Sequence, residues 1–422
     1  MKKYFKLFTI ILALMFLSSC GSSSEDVKET DQIKGLDILK EALKNPDTIS
    51  ILDLSSQNLT YLPEEIGDFP NLKSLNLSNN NISRVPETIG KLKNLRILNL
   101  SNNKIDSVPK TLGQLKNLEI LNLTRNVIVE TPPEIGQLKR LVELDLSYNN
   151  RLEFLPPEIG DLQNLETLKL ISCGLDSLPE TIGNLKNLRS LYVKPWLSNL
   201  WFPPKSISEL TAIEDLSLEY IDLAQLPKSL TNLERLEKLN LSRSTGGFPE
   251  QVCDIKNLKI LNLNNCDITH IPEEIGNLRN LNELHLVKSD VYESRYLLYK
   301  EDCSSSLGQE NGQLIIVRGP DTDFCKDGVK EQWKWIDMIN NEPALKIPST
   351  IKNLTKLYLL DITHHFTEGI PNELLQLTSL KTLRFGSNFQ VLEVEEMEKL
   401  KWHLPHCLIE VPPYNPYAFN RD

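Results

Sequence analysis

A spacing of 23 residues governs this chain and leaves it few folds to choose from. From residue 72 it reads LKSLNLSNNNISRVPETIGKLKN, and from residue 95 LRILNLSNNKIDSVPKTLGQLKN. Both fit L-x-x-L-x-L-x-x-N-x-I-x-x-V-P-x-x-I/L-G-x-L-x-N. The first apolar residue recurs at Ile49, Leu72, Leu95, Leu118, Leu141, Leu165, Leu188, Ile213, Leu236, Leu258, Leu281, Leu357 and Leu380, which makes thirteen units. Successive units start 22 to 25 residues apart, except for a gap of 76 between Leu281 and Leu357. Self-similarity at a period of this length marks a solenoid, in which each unit is too small to bury its own apolar face and must stack on the next.

Each slot has a physical role. Positions one, four and six are apolar, as in Leu72, Leu75 and Leu77. Positions four and six flank one residue and so share a face of a short strand. Position nine carries Asn80, Asn103, Asn126 and Asn149. A buried amide there needs backbone partners, and it finds them in its own and adjacent turns. Pro86, Pro109, Pro132, Pro156, Pro179 and Pro203 stop the strand on the outer side. They open a short helical or 3₁₀ segment that ends near glycines such as Gly90 and Gly113.

This pattern resembles the leucine-rich repeats of the Scribble and Ras-suppressor type, over about residues 49 to 410. The resemblance implies an α/β solenoid. It takes the form of a leucine-rich repeat horseshoe, with a parallel sheet on the concave face and short helical or 3₁₀ segments on the convex side. It also implies recognition by the concave face and no catalytic residue.

The expected organisation is a signal peptide over 1–19, a lipidated cysteine and tether over 20–30, and a helical cap over 31–48. Repeats fill 49–391 with an insertion at 292–346, and a C-terminal cap and tail occupy 392–422. Lys2, Lys3 and Lys6 precede an apolar run, Leu7 to Leu17, that is too short to span a bilayer and suits a signal peptide. Leu17-Ser18-Ser19-Cys20 resembles a bacterial lipobox, which implies acylation at Cys20 and an outer-membrane anchor. More than one acyl chain would make that anchor lasting. The acidic pair Glu25-Asp26 is compatible with surface display. Ile33 to Lys44 and Val394 to Trp402 carry helical spacing, and Leu404, Cys407 and Ile409 form a last degenerate unit.

The formal charge is −11, and loss of Lys2, Lys3 and Lys6 with the leader takes it to −14. Phosphate backbones favour basic surfaces, so nucleic acid is disfavoured as a partner. A protein partner is expected, with the membrane reached only through the anchor. Cys173 and Cys266 fall at position nine, Cys253 on the outer arc and Cys407 in the C-terminal cap. Cys303 and Cys325 lie in the insertion and are expected to pair in an exported protein.

Positions three, five, seven and eight face the concave side. Early units are small and polar there; later ones bring Arg125, Tyr148, Tyr192, Tyr220, Arg243, His285 and His364. Tyr and Arg dominate binding interfaces, so Arg125, Tyr148, Tyr192, Tyr220, Arg243 and His285 form the candidate partner-binding set. The bland alternative is a solvated sheet whose aromatics pack on their neighbours. Trp196, Ile221 and Ser244 break the asparagine series, and Trp196 at the normally interior position nine reads as a possible core residue. Within the insertion, Gln313 to Arg318 reads as a strand after Asn311-Gly312, and Gly328 to Asn340 as a helix. The insertion is a rival site. No phosphate loop, G-x-S-x-G, H-E-x-x-H or paired C-x-x-C occurs, so no enzyme, metal or cofactor is expected. His403, His406 and Cys407 make a poor metal set. Glycan recognition by a surface adhesin through stacked aromatics is the main alternative to a protein partner, and an enzyme with its site in the insertion ranks far behind both.

Overall fold

The computed structural model describes residues 29–196, 201–288, 306–310, 313–317, 345–363, 370–386 and 394–410. The repeat strands are β1 (Ile51–Asp53), β2 (Ser74–Asn76), β3 (Ile97–Asn99), β4 (Ile120–Asn122), β5 (Glu143–Asp145), β6 (Thr167–Cys173), β7 (Ser190–Pro195), β8 (Asp215–Leu218), β9 (Lys238–Asn240), β10 (Ile260–Asn262) and β11 (Glu283–His285). β12 (Ser306–Glu310) and β13 (Gln313–Val317) form an antiparallel pair of their own. β14 (Leu359–Thr363), β15 (Thr382–Gly386) and β16 (Leu408–Glu410) complete a fourteen-stranded parallel sheet whose order follows the chain. β11 pairs directly with β14, so the insertion leaves the sheet unbroken. This is the solenoid that the repeat implies, with the degenerate last unit supplying the fourteenth strand.

Register holds each position against the same position of the next unit, as in Leu75↔Leu98 and Asn76↔Asn99. Position four therefore becomes a continuous column, with Leu75, Leu98, Leu121, Leu144, Leu168, Leu191 and Leu216 all fully buried. Each such side chain contributes about 2 kcal/mol of burial.

The position-nine asparagines sit inside this core. Asn103 Nδ2 donates to the carbonyls of Leu77 and Leu100, while its Oδ1 accepts from the Ile82 amide. Asn126 repeats the set with Leu100, Leu123 and Ile105. One amide thus closes the turns of two units. At Cys173 and Cys266 the thiol donates to Leu146 O and Leu241 O, keeping only the donor half of that role.

A second asparagine series runs along the convex side, at the last position of the unit. Asn94, Asn117, Asn164, Asn187, Asn257 and Asn280 each donate to a carbonyl one unit back. On the same side the prolines cap 3₁₀ turns such as Glu87–Lys91 and Lys110–Gln114. In the Leu188 unit the cap is Pro204, one residue beyond Pro203. Gly113 ends its turn because a Cβ there would lie 2.4 Å from the carbonyl oxygen of Glu134 in the next unit.

Two boundaries differ from expectation. Helix α1 runs Glu29–Ala42 and so begins inside the segment read as tether. It buries Leu39 against the first unit. Leu345 is buried in the core and Lys346 bridges His270, so both belong to the solenoid and not to the insertion. Helix α2 (Val394–His403) lies before the last strand, with Leu400 and Leu404 buried and Cys407 half-buried. The expected strand after Asn311-Gly312 is β13. The expected helix from Gly328, together with Cys20, Cys303, Cys325 and His364, lies outside the described residues.

Candidate partner-binding site

Two local rules end each strand and set the rim of the sheet. At position five an Asn or Asp side chain accepts the amide of position seven, as Asn99 does from Ser101, Asn122 from Thr124 and Asp145 from Ser147. At position eight the backbone is left-handed. Ser56, Asn79, Asn102, Arg125, Tyr148, Ser172, Tyr220, Arg243 and Asn265 all have φ between 54° and 62°. Asparagine tolerates that conformation; arginine and tyrosine rarely adopt it.

The central units break the first rule, and the Leu188 unit breaks the second as well. Lys169, Tyr192 and Ser217 occupy position five and cannot form the same turn. Pro195 occupies position eight, where its ring holds φ negative. The strands there run on: β6 has seven residues, with a register shift at left-handed Ser172, and β7 has six, against three in β2 to β5. The extra residues of the Leu188 unit then bring Trp201, not Trp196, into the interior. Trp201 is buried and its Nε1 donates to Glu219 O at 2.8 Å. Trp196 is 54% exposed, which corrects the core reading. Pro195 itself is buried and pairs in register with Cys173.

The predicted set divides in two. Tyr192 and His285 stand at position five, on the sheet, while Arg125, Tyr148, Tyr220 and Arg243 stand at position eight, on the rim. The sheet residues are held by their neighbours. Tyr192 Oη donates to Asp215 Oδ2 at 3.0 Å, and Lys169 Nζ donates to Glu143 at 2.7 Å. Lys194 and Arg243 both lie 3.8 Å from Glu219, and His285 Nε2 lies 3.0 Å from Glu283. Burial and the Asp215 carboxylate raise the Tyr192 pKa. For Lys169 burial works downward, but the Glu143 hydrogen bond and the charges of Glu143 and Asp145 outweigh it and raise the pKa. For Glu283 burial works upward and is outweighed by hydrogen bonds from Tyr358 and His285, so its pKa falls.

Rim residues pair differently. The Arg125 guanidinium lies 4.8 Å from the centre of the Tyr148 ring, and that of Arg243 lies 5.8 Å from the Tyr220 ring. Arg243 also donates to the Tyr220 hydroxyl at 2.9 Å. Sequence reasoning passes over Glu143 and Asp215, the acidic partners of Lys169 and Tyr192. Their signal was their place at position three, one strand from position five. Among the described residues no group of three His, Cys, Asp or Glu side chains is placed to hold a metal ion, and no helix is long and apolar enough to cross a membrane.

The fold is a leucine-rich repeat solenoid. Family models match in three places: a leucine-rich repeat region over 144–246, a leucine rich repeat over 47–105 and 70–128, and another over 257–278. No curated protein sequence matches. Among solved structures, a leucine-rich repeat protein of Leptospira interrogans is 27% identical with a TM-score of 0.53, covering 88% of this chain and 98% of that one. The plant peptide hormone receptor RGFR1, solved in complex with RGF2, is 25% identical with a TM-score of 0.59, covering 86% and 52%. A TLR13–ssRNA13 complex is 26% identical with a TM-score of 0.58, covering 83% and 49%. Leucine-rich repeat proteins act in general by binding other proteins, and receptor complexes among the neighbours fit that role.

Proposed function

We propose that this chain is an exported, lipid-anchored scaffold of the bacterial envelope that binds a partner protein, with Cys20 as the anchor and the Scribble-like repeat as the frame. The observation that carries the binding role is the row of Arg and Tyr side chains on a parallel sheet whose polar groups are already paired. A rigid, satisfied surface loses little freedom on association, and preorganisation of that kind favours affinity. No catalytic role is assigned to it. The peptide-hormone receptor supports a protein or peptide ligand. The RNA-bound neighbour means the fold alone does not decide against nucleic acid, and the net charge does that work here. The insertion is the second place for a partner, and a glycan is the alternative ligand class.

Changing Tyr192, Tyr220 and Arg243 together to Ala should abolish capture of an envelope partner by cross-linking while the circular dichroism spectrum is retained. Unaltered capture would remove the site. For the anchor, Cys20→Ser should release the protein from membranes and stop labelling by a palmitate analogue; a membrane-bound variant would refute lipidation.

A further inference from the structure

We propose that the flank leading into the first strands is a docking surface for the anionic phospholipid headgroups of a bilayer. Lys93, Lys116, Lys139 and Arg140 would meet the phosphates there. This rests on the reading of the chain as an anchored envelope protein. It adds the face on which the chain lies once Cys20 is acylated.

Position twenty-two is Lys93, Lys116 and Lys139 in three successive units, and Arg140 follows Lys139. All four side chains are exposed. The units keep one register, so the charges recur once per strand spacing of ~4.8 Å. Lys93 Nζ donates to Gln114 Oε1 at 3.0 Å, and Lys116 Nζ donates to Gln137 Oε1 at 3.0 Å. Arg140 donates to Asn117 Oδ1 at 2.9 Å. Among the described residues Lys93, Lys116 and Arg140 have no carboxylate in ion-pair range, and Lys139 reaches Asp161 at 3.7 Å. The Lys116 pKa is lowered, by burial first and then by the charges of Lys93 and Lys139. Like charges gathered together have that effect, and an anion beside them reverses it.

The fold does not need the charge. Lys116 Nζ also donates to Gly113 O at 2.7 Å, which supports the end of the 3₁₀ turn. In the Leu141 unit Gln163 holds the equivalent place, and its Nε2 donates to Gly160 O at 2.8 Å. A neutral amide therefore supplies the same hydrogen bond. The lysines add a charge that no neighbouring carboxylate takes up. Further along the flank Lys186, Arg189 and Lys259 meet Glu209, Glu214 and Glu237 at 2.6 to 3.4 Å.

Position selects the occupant. The three-lysine run lies in the second to fourth units, at the N-terminal end of the solenoid. Cys20 belongs to the same end, nine residue steps before Glu29 at the start of α1. Those steps span at most about 30 Å of extended chain. An acyl anchor thus keeps these units close to the bilayer, where an anionic leaflet attracts lysine and arginine. The whole chain carries −11, which favours contact through this flank over contact through acidic faces.

The test is amine labelling of the acylated full chain in phosphatidylcholine vesicles, with and without phosphatidylglycerol, read by peptide mapping. Lys93, Lys116 and Lys139 should be protected on the anionic vesicles alone. Lys205 and Lys228, which open turns on the convex side, should label equally on both. Protection should vanish in about 1 M salt, where the screening length is roughly 3 Å. Lys93→Gln with Lys116→Gln installs the residue that Gln163 already supplies, so the fold is kept. That variant should lower the protection of Lys139 by about fivefold per charge removed. An acylated chain labelled equally on both vesicles would overturn the flank and leave the anchor standing. A chain without an acyl group that is still protected would overturn the anchor and leave the flank. One neither acylated nor protected would overturn both. Stronger protection by RNA or by polyglutamate than by the anionic vesicles would overturn the lipid assignment.

Discussion

Single side chains carry more than one duty in this molecule, and Asn126 is the clearest case. It satisfies the Leu100 and Leu123 carbonyls and the Ile105 amide, all in the interior. Asn126→Ala orphans all three, and each unsatisfied buried group costs about 1–3 kcal/mol, so a loss of about 3 kcal/mol or more is expected in urea unfolding. Asn126→Cys should lose less, because Cys173 and Cys266 show that a thiol in this slot still reaches a carbonyl. Position eight gives the opposite sign. Tyr148→Asn and Tyr220→Asn relieve a left-handed backbone and should each stabilise the fold by about 0.5–1 kcal/mol in the same assay. A binding site kept at the expense of stability explains that result; a purely structural stack would be destabilised. The position-nine role was legible from residue type and spacing. The left-handed row was not, because Arg and Tyr carry no sign of a positive φ.

At the scale of the element, the repeat is a strand, a turn and a 3₁₀ cap, and close approach fixes the cap. Gly113 lies against the next unit with no room for a methyl group, the nearest backbone atom being Glu134 O at 2.4 Å. Gly113→Ala should cost about 1–3 kcal/mol by overpacking, seen as a lower urea midpoint. A neutral result would mean the units can slide apart at little cost. Strand length is governed in the same local way. Asn and Asp at position five turn the chain after three residues, whereas Lys169 and Tyr192 let β6 and β7 run on. β14 keeps five residues with Asp361 in place, so the turn is not the sole control. The loosened ladder from Leu165 to Leu236 was visible in sequence. What it did to Trp196 and Trp201 was not, since the choice of which tryptophan enters the core depends on how far an extended chain overshoots.

Across the whole molecule, each unit touches its neighbours and little else, so opening should be local and uneven. The free thiols report on it. Cys173, Cys253 and Cys266 are buried, and burial pushes each pKa to about 12. Cys407 is half-buried in the terminal unit. Thiolate is the reactive form, so with iodoacetamide near neutral pH Cys407 should label first and the other three only as denaturant opens their units. Peptide mapping checks the order. Equal rates at all four would mean that the solenoid opens as one body.

The sequence by itself determined the solenoid, its parallel sheet, the interior asparagines and the region where regularity fails. Those follow from periodicity and residue type, which act within one unit and repeat. Tertiary structure alone decided which polar groups neutralise one another across strands, which tryptophan is core, and that the candidate residues divide between sheet and rim. Such outcomes depend on pairs one unit apart and on backbone dihedrals. No linear motif records either, because the partners meet only when the units stack.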